Sequence, residues 1–137
     1  MQFEHVLLVD DDPIFNHLHT RLLDHTKMVA NSYTALHGGK AIDFLKTFYA
    51  EHMRLPDAIL LDLDMPVMNG FEFMEEFRKM NLPGNDKVVI ILITSSSDPR
   101  DAEKARSMGI RNHLIKPVPL PEMIRALQSA IEFRVEG

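Results

Sequence analysis

Five short apolar runs, separated by segments long enough for a helix, constrain the fold of this chain more than any other feature. They cover residues 6–9, 28–30, 58–61, 88–93 and 113–115. Short runs of this kind are typical of strands that are buried on both faces of a sheet. Their alternation with helix-length segments predicts an α/β domain, in which helices wrap both faces of a five-stranded parallel sheet.

The segment after the first run carries clear helix signals. Asp12 can act as an N-cap, and Pro13 suits the first position of a helix. Ile14, Leu18 and Leu22 then recur every four residues, which lays one apolar stripe along a helix that ends near residue 25. We expect this stripe to face the core, as in most surface helices. Further helix starts are predicted at Asn69 and Asp98.

Composition limits the functions that this chain can have. Its 137 residues, 45% of them hydrophobic, suit one compact core, so we expect a single domain over residues 1–137. The net charge of -5, with no lysine- or arginine-rich block, argues against binding to nucleic acid. The run at residues 6–9 ends in three aspartates, so it is neither a signal peptide nor a membrane span. The absence of cysteine is compatible with a reducing compartment, and we expect a cytoplasmic protein with no membrane partner.

Polar side chains follow four of the apolar runs, at the points where the strands are expected to end. They are Asp10 and Asp11 after the first run, Asp62 after the third, Thr94 after the fourth and Lys116 after the fifth. Ligands of open α/β sheets bind beyond the carboxyl ends of the strands. We therefore expect these five residues to form one site.

The residue types in this set point to phosphoryl transfer. The carboxylates of Asp10, Asp11 and Asp62 would repel one another in a small site unless a cation lay between them. Because the donors are all oxygens, they select a hard ion, and Mg²⁺ fits such a site better than a closed Ca²⁺ cage. The hydroxyl of Thr94 and the ammonium of Lys116 are usual ligands of phosphoryl oxygens. The set predicts a carboxylate acceptor, which we place at Asp62.

In the order and spacing of these motifs, the chain resembles the receiver domain of two-component response regulators over about residues 5–133. The motifs are the acidic pair at residues 10–11, the sequence L-D-L-D-M-P at 61–66 with M-N-G at 68–70, I-T-S at 93–95, and K-P at 116–117. The resemblance implies a flavodoxin-like, doubly wound sheet with strand order 2-1-3-4-5. It also implies a phosphoprotein that catalyses only its own phosphorylation and dephosphorylation.

The resemblance assigns a role to each residue of the predicted site. Asp62 would accept phosphate from a phosphohistidine on a sensor histidine kinase or a histidine phosphotransfer protein. Asp10, Asp11, Asp62 and the backbone oxygen of Asp64 would hold Mg²⁺. The transfer would then switch the surface for an unknown downstream protein or for onward transfer in a phosphorelay.

The other two site residues would hold the phosphoryl group. Thr94 would bond one of its oxygens, and Lys116 would pair first with the acceptor and then with the phosphoryl group. The family also implies a cis bond between Lys116 and Pro117. About twenty residues follow Lys116, so we expect no output domain and an output through a partner.

Three further positions bear on switching and on the lifetime of the acyl phosphate. His113 stands where the family usually has tyrosine or phenylalanine as a rotameric switch, and a histidine there would make switching sensitive to pH. Asp64 and Ser96 occupy positions that in the family tune hydrolysis of the acyl phosphate. We expect Asp64 to act through its charge on the attacking water.

Three alternatives stay open at this point. A haloacid-dehalogenase-like phosphotransferase would use Asp62 and Asp64 as its Asp-x-Asp pair, although Pro66 departs from its motif and the acidic cluster here comes first. A receiver-like module could also signal by protein contact without phosphorylation. A flavodoxin is a weaker alternative, because the turn after the first strand is acidic where a flavin phosphate needs uncharged donors.

Overall fold

One parallel sheet forms the centre of the protein, of which the computed structural model describes residues 2–136, with side chains described up to residue 132. The strands lie in the order β2-β1-β3-β4-β5, which confirms the predicted flavodoxin-like α/β fold. Their bounds are β1 (Phe3–Val9), β2 (Val29–Ala35), β3 (Ala58–Asp62), β4 (Val89–Thr94) and β5 (Asn112–Ile115).

Five helices connect and follow the strands. They are α1 (Pro13–Thr26), α2 (Gly38–His52), α3 (Gly70–Lys79), α4 (Pro99–Ser107) and α5 (Leu120–Glu136). The predicted N-caps are confirmed, since the side chains of Asp12, Asn69 and Asp98 each accept a backbone N–H of the first turn. A short 3₁₀ helix (Asn85–Lys87) lies between α3 and β4. No helix among the described residues is long and apolar enough to cross a membrane.

Two apolar cores lie on opposite faces of the sheet, because side chains alternate between the faces along each strand. Leu7 and Leu61 face the first core, which α2 and α3 cover with side chains such as Phe73. Leu8 and Ile91 face the second, which is covered by α1 and α5. The helices therefore wrap the sheet on both faces, as the alternation of runs predicts.

The second strand is longer than the apolar run at residues 28–30 that predicted it. It covers Val29–Ala35 and pairs in parallel with β1 alone, from Phe3–Val29 to Val9–Ala35. Its middle residues are polar, and they are tolerated because β2 lies at the edge of the sheet, where one side of the strand is not paired. Apolar content alone cannot find such a strand.

The expected apolar stripe of α1 is wrong in its orientation. Ile14 is 66% exposed and Leu18 is 47% exposed, whereas Asn16, His19 and Leu23 are buried. The start of the helix lies at the polar end of the sheet, where Asn16 donates from Nδ2 to the backbone oxygen of Asp10 at 3.0 Å. Because that contact requires a polar side chain on the inner face, Ile14 and Leu18 face outward, whereas Leu22 is partly buried against the second core.

A buried carboxylate at the opposite end of the sheet ties β1 to the start of β3. Oδ2 of Asp57 accepts the backbone N–H groups of Glu4 at 2.8 Å and His5 at 3.1 Å. Oδ1 accepts Nη2 of Arg54 at 2.7 Å. Bonds that involve a charged partner are stronger than neutral ones, so Asp57 fixes the amino-terminal ends of the two central strands.

Replacing Asp57 should therefore destabilise the fold without touching the predicted site. We expect Asp57→Ala to lower the free energy of unfolding by about 2–4 kcal/mol, because three donors lose their acceptor. Urea unfolding at pH 7 measures this change. Asp86→Ala, at an exposed position of the short 3₁₀ helix, should stay within about 0.5 kcal/mol of wild type. A decrease in the free energy of unfolding of less than about 1 kcal/mol for Asp57→Ala would contradict this stabilising role of Asp57.

Candidate functional site

The carboxyl ends of four strands bring the predicted site residues to one edge of the sheet. The parallel register pairs Val9 with Leu61, Asp62 with Ile93, and Thr94 with Ile115. The residues that follow or end these strands therefore meet at the same level. They line or border a hollow of about 340 Å³, here called the acidic cleft, whose walls include Asp11, Asp12, Phe15, Asp62, Asp64, Ser95, Lys116 and Pro117.

One nearly buried ammonium group joins two of the carboxylates. Nζ of Lys116 lies 2.8 Å from Oδ2 of Asp10 and 3.3 Å from Oδ1 of Asp62. Sequence reasoning anticipated the pairing with Asp62 but not that Asp10 lies closer. The backbone N–H of Lys116 donates to the oxygen of Thr94 at 2.8 Å, and its peptide bond to Pro117 is cis, as the family resemblance implies. The backbone bond to Thr94 fixes Lys116 at the end of β5, beside the two carboxylates.

Burial makes Asp62 an unusual carboxyl group. Its residue is 2% exposed, and its Oδ1 also accepts the backbone N–H of Asp64 at 3.2 Å. Desolvation raises the pKa of Asp62 to about 7, and the charge of Asp10 adds to the rise, while Lys116 and the Asp64 amide oppose it. Burial alone would lower the pKa of Lys116, but its bonds to Asp10 and Asp62 outweigh burial and raise it.

The predicted metal ligands converge. Asp10, Asp11 and Asp62 each offer one carboxylate oxygen, and these oxygens lie within 4.8 Å of one another. Asp11 is exposed, whereas Asp10 is buried and its Oδ1 accepts the backbone N–H of Asp12 at 2.9 Å. Because the donors are all oxygens and the cleft has room for water, the residues fit Mg²⁺. The role of the Asp64 backbone oxygen stays a prediction.

Thr94 and Asp64 are joined by a hydrogen bond that sequence reasoning did not anticipate. The hydroxyl of Thr94 donates to Oδ2 of Asp64 at 2.7 Å. Ser95 donates to the same oxygen from its backbone N–H and from its hydroxyl, each at 3.2 Å. Ser96 donates its N–H to Oγ1 of Thr94 at 3.0 Å, and its own hydroxyl oxygen accepts the N–H of Asp98. The loop between β4 and α4 is thus organised around the Asp64 carboxylate.

His113 lies in the sheet and not among the residues that line the acidic cleft. It is on β5, paired with Leu92, and is partly buried. Its Nε2 is buried and has no hydrogen-bond partner among the described residues. Its role as a switch stays a prediction.

Three residues of α1 that sequence reasoning missed also border the site. The ring of Phe15 lies 4.2 Å from Nζ of Lys116, and Asn16 holds the backbone of Asp10. The ring of His19 lies tilted beside that of Phe15, with ring centroids 5.8 Å apart, and burial lowers the pKa of its imidazole. Apolar periodicity passed over them because two of the three are polar. The inward positions 16, 19, 23 and 26 have helical spacing, but only the structure shows that they are buried.

The glycine of the M-N-G motif has a steric explanation. A Cβ at Gly70 would lie 3.0 Å from the backbone oxygen of Asp62 and 3.0 Å from Cα of Leu63. Asn69 and Glu72 form a complete capping box around this first turn of α3. Glycine therefore allows α3 to start directly against the end of β3, where the predicted acceptor lies.

Fold and site together define a receiver domain. The sequence model of the response regulator receiver domain family matches residues 6–128, and the chain belongs to that family. A solved two-component response regulator from Cytophaga hutchinsonii is 31% identical, with full coverage of both chains and a TM-score of 0.87. One from Legionella pneumophila is 27% identical, with 94% of this chain and 98% of that chain covered and a TM-score of 0.78.

Curated relatives are also response regulators. The nitrate/nitrite response regulator protein NarL of Escherichia coli strain K12 is 28% identical over 125 residues, which is 91% of this chain and 53% of that protein. The probable C4-dicarboxylate response regulator DctR of Bacillus subtilis is 26% identical over 94% of this chain and 53% of that protein. The chain thus spans about half the length of these two relatives. The chain is a receiver domain of the two-component class.

The raised pKa of Asp62 predicts that this residue lowers stability above neutral pH. Its pKa in the folded state, about 7, lies above the ordinary 3.8, so its contribution to stability falls as the pH rises from about 4 to about 7. In metal-free protein at pH 8, Asp62→Asn should raise the free energy of unfolding by about 1–3 kcal/mol.

Urea unfolding in EDTA at pH 8 and pH 5 tests this prediction. The advantage of Asp62→Asn should shrink at pH 5, because the folded wild type then carries a protonated Asp62. An equal advantage at both pH values would contradict the electrostatic cause.

Proposed function

We propose that this receiver domain accepts a phosphoryl group on Asp62 from the phosphohistidine of a partner protein. The placement of Asp62 carries the proposal, since it is a buried carboxylate at the end of β3 that also lines an open cleft. Its described polar contacts, with Lys116 and with the Asp64 amide, both use Oδ1. Oδ2 is therefore the candidate nucleophile.

The transfer is a displacement at phosphorus. An oxygen of the ionised Asp62 attacks the phosphorus of phosphohistidine, so that a P–O bond forms while the N–P bond breaks. The electron pair of the broken bond stays on the imidazole nitrogen, which leaves with the donor. The product is an aspartyl phosphate that water later hydrolyses. The domain is thus regulatory, because the transferred group stays on its own Asp62 and changes the state of the domain until water removes it.

Lys116 and Thr94 provide the donors that this step requires. The Lys116 ammonium already lies 3.3 Å from Asp62, so it can stabilise charge on the incoming phosphoryl oxygens without a large movement. The Phe15 ring beneath it restricts where the ammonium can go. Thr94 can donate to a second phosphoryl oxygen once its hydroxyl has turned from Asp64.

The carboxylates beside the acceptor fit a divalent cation. Asp10, Asp11 and Asp62, with the backbone oxygen of Asp64, would hold Mg²⁺. When bound, the ion supplies positive charge that offsets the repulsion between the carboxylates and the phosphoryl group. Asp12 orients this set, because its backbone N–H fixes one oxygen of Asp10 and its side chain caps α1.

The exposed apolar residues of α1 are best explained as part of a docking surface for the partner. A mainly apolar groove of about 420 Å³, here called the donor groove, lies between α1 and the start of α5. Phe15 and Pro117 line both this groove and the acidic cleft, so the two are continuous. The exposed Leu18 lies on its wall, and Ile14 is exposed one turn earlier. We infer that a helix of the histidine-bearing partner packs here, because its histidine would then face Asp62.

Phosphorylation would change the surface of the domain, and a partner protein would recognise that change. New charge at Asp62 attracts the Lys116 ammonium and the Thr94 hydroxyl, and the loop after β4 moves with Thr94. A downstream protein or a further phosphotransfer protein would recognise the altered surface. We infer that this signalling takes place in the cytoplasm, where a histidine kinase would draw on cellular ATP.

Labelling tests the acceptor. With Mg²⁺ and the small donors phosphoramidate or acetyl phosphate, intact-mass measurement should show one phosphoryl group per chain. Asp62→Asn and EDTA should each abolish the label, because one removes the nucleophile and the other the cation. Asp86→Asn, at an exposed aspartate outside the cleft, should label like wild type.

Two outcomes would overturn the acceptor assignment. Labelling that survives in Asp62→Asn would place the acceptor elsewhere. Steady hydrolysis of small phosphate esters over many turnovers would instead favour the haloacid-dehalogenase-like alternative, which uses Asp64 as its acid. The engagement of Asp64 by Thr94 and Ser95 disfavours that role.

The donor groove is tested by comparing protein and small-molecule donors. We expect Leu18→Glu to slow transfer from a phosphorylated histidine phosphotransfer protein by about tenfold or more, since a charge in an apolar contact weakens docking. Labelling by phosphoramidate should not change, because a small donor does not need the groove. Met53→Glu, at an exposed apolar residue on the end of α2, is the matched control. Equal slowing with both donors would exclude a docking role.

A further inference from the structure

We propose that Asp64 is a positioning residue whose carboxylate holds the Thr94 hydroxyl and the loop after β4 in the resting state. Phosphorylation of Asp62 then has to take that hydroxyl from it. The inference rests on the function proposed above and deepens it, since it names what opposes switching in this chain.

Three donors converge on a single oxygen of Asp64. The distances to Oδ2 are 2.7 Å from the Thr94 hydroxyl, 3.2 Å from the Ser95 N–H and 3.2 Å from the Ser95 hydroxyl. Hydrogen bonds to an ionised carboxylate are roughly twice as strong as neutral ones. The contacts span about thirty positions of sequence, so they join the β3–α3 loop to the β4–α4 loop and not neighbours along the chain.

The Thr94 hydroxyl cannot serve Asp64 and a phosphoryl group at the same time. A threonine hydroxyl carries one proton, and here that proton is donated to Asp64. A bond from Thr94 to a phosphoryl oxygen on Asp62 therefore requires the bond to Asp64 to break. The two acceptors compete for one donor. The free energy gained from the bond between Thr94 and the phosphoryl oxygen is therefore reduced by the free energy lost when the bond to Asp64 breaks.

Electrostatics makes the competition depend on phosphorylation. Asp64 lies two residues from Asp62, and its N–H donates to Oδ1 of Asp62 at 3.2 Å. Both residues line the acidic cleft with Ser95. Added negative charge at Asp62 would repel the carboxylate of Asp64 while it attracts the hydroxyl. The same event thus weakens the old bond and forms the new one.

The loop that Asp64 holds leads into α4, a helix with little apolar packing. Ser96 bonds to Oγ1 of Thr94, and Asp98, which caps α4, bonds to Oγ of Ser96. Of the nine described residues of α4, Ala105 alone is buried. Farther along, Lys104 lies over the Phe71 ring, and Arg78 donates to the backbone oxygen of Met108. Because little apolar packing holds α4, the chain of hydrogen bonds through Ser96 fixes its amino-terminal end, and release at Asp64 would be transmitted there.

Hydrogen exchange of the resting protein, without any ligand, tests whether Asp64 orders the loop between β4 and α4. We expect the Ser95 and Ser96 amides to exchange about tenfold faster in Asp64→Ala, since the acceptor that orders the loop is lost. Asp64→Asn keeps an acceptor but loses the charge, so it should fall between wild type and Asp64→Ala. Unchanged exchange in Asp64→Ala would overturn the proposal that Asp64 orders this loop.

Beryllofluoride, a phosphoryl mimic, tests the competition. In the presence of Mg²⁺, Asp64→Ala should bind it about five- to fiftyfold more tightly than wild type. The loss of a negative charge could also tighten binding of an anion, so the effect is measured again in a Thr94→Val background. There the gain should largely vanish, because no hydroxyl is left to compete for. A gain of the same size in both backgrounds would mean that Asp64 acts by charge alone and would overturn the proposal.

A second variant controls for charge. Asp12→Asn removes another carboxylate from the acidic cleft and keeps a side chain that can cap α1. It should leave Ser95 exchange unchanged, and its effect on beryllofluoride binding should be the same with or without the Thr94 hydroxyl. If wild type binds no beryllofluoride, the proposed acceptor is wrong, whereas the exchange experiment still decides whether Asp64 orders the loop.

Discussion

The structure depends on the pairing of one ammonium group with two buried carboxylates. Asp10 and Asp62 end neighbouring strands, and without a cation their charges would repel each other in a poorly solvated site. Lys116 lies between them, held by the loop after β5 and by the Phe15 ring. The compensation is incomplete, because burial still raises the pKa of Asp62 to about 7. Because the carboxylates still repel each other, a bound cation would stabilise this site, and a phosphoryl group on Asp62 would give the Lys116 ammonium a further partner.

This site also determines how the neighbouring helix packs. Asn16 and His19 face inward because the start of α1 covers the polar end of the sheet, and Asn16 donates to the backbone of Asp10 there. The cost is an apolar stripe, including Leu18, that faces solvent. The same orientation therefore completes the acceptor site and creates the surface that we assign to the phosphate donor. Site and docking surface are two faces of one helix.

The side of the site toward β4 follows a different logic. There a single carboxylate oxygen of Asp64 organises a loop and, through Ser96, the start of α4. Hydrogen bonds fix the start of that helix, whose only buried residue among those described is Ala105. A rearrangement of a few polar contacts is thus enough to alter a surface, whereas α1 and α5 stay fixed on the apolar core.

The sequence by itself determined the class of fold, the helix starts and the residues that meet at the carboxyl edge of the sheet. These features depend on local patterns, since an apolar run predicts a strand and parallel strands end on one side. The tertiary structure alone decided the length of β2, the inward face of α1, the closer pairing of Lys116 with Asp10 and the bond between Thr94 and Asp64. Each of these depends on which groups far apart in the chain become neighbours. Burial and charge compensation exist only after the chain has folded, so no local pattern records them.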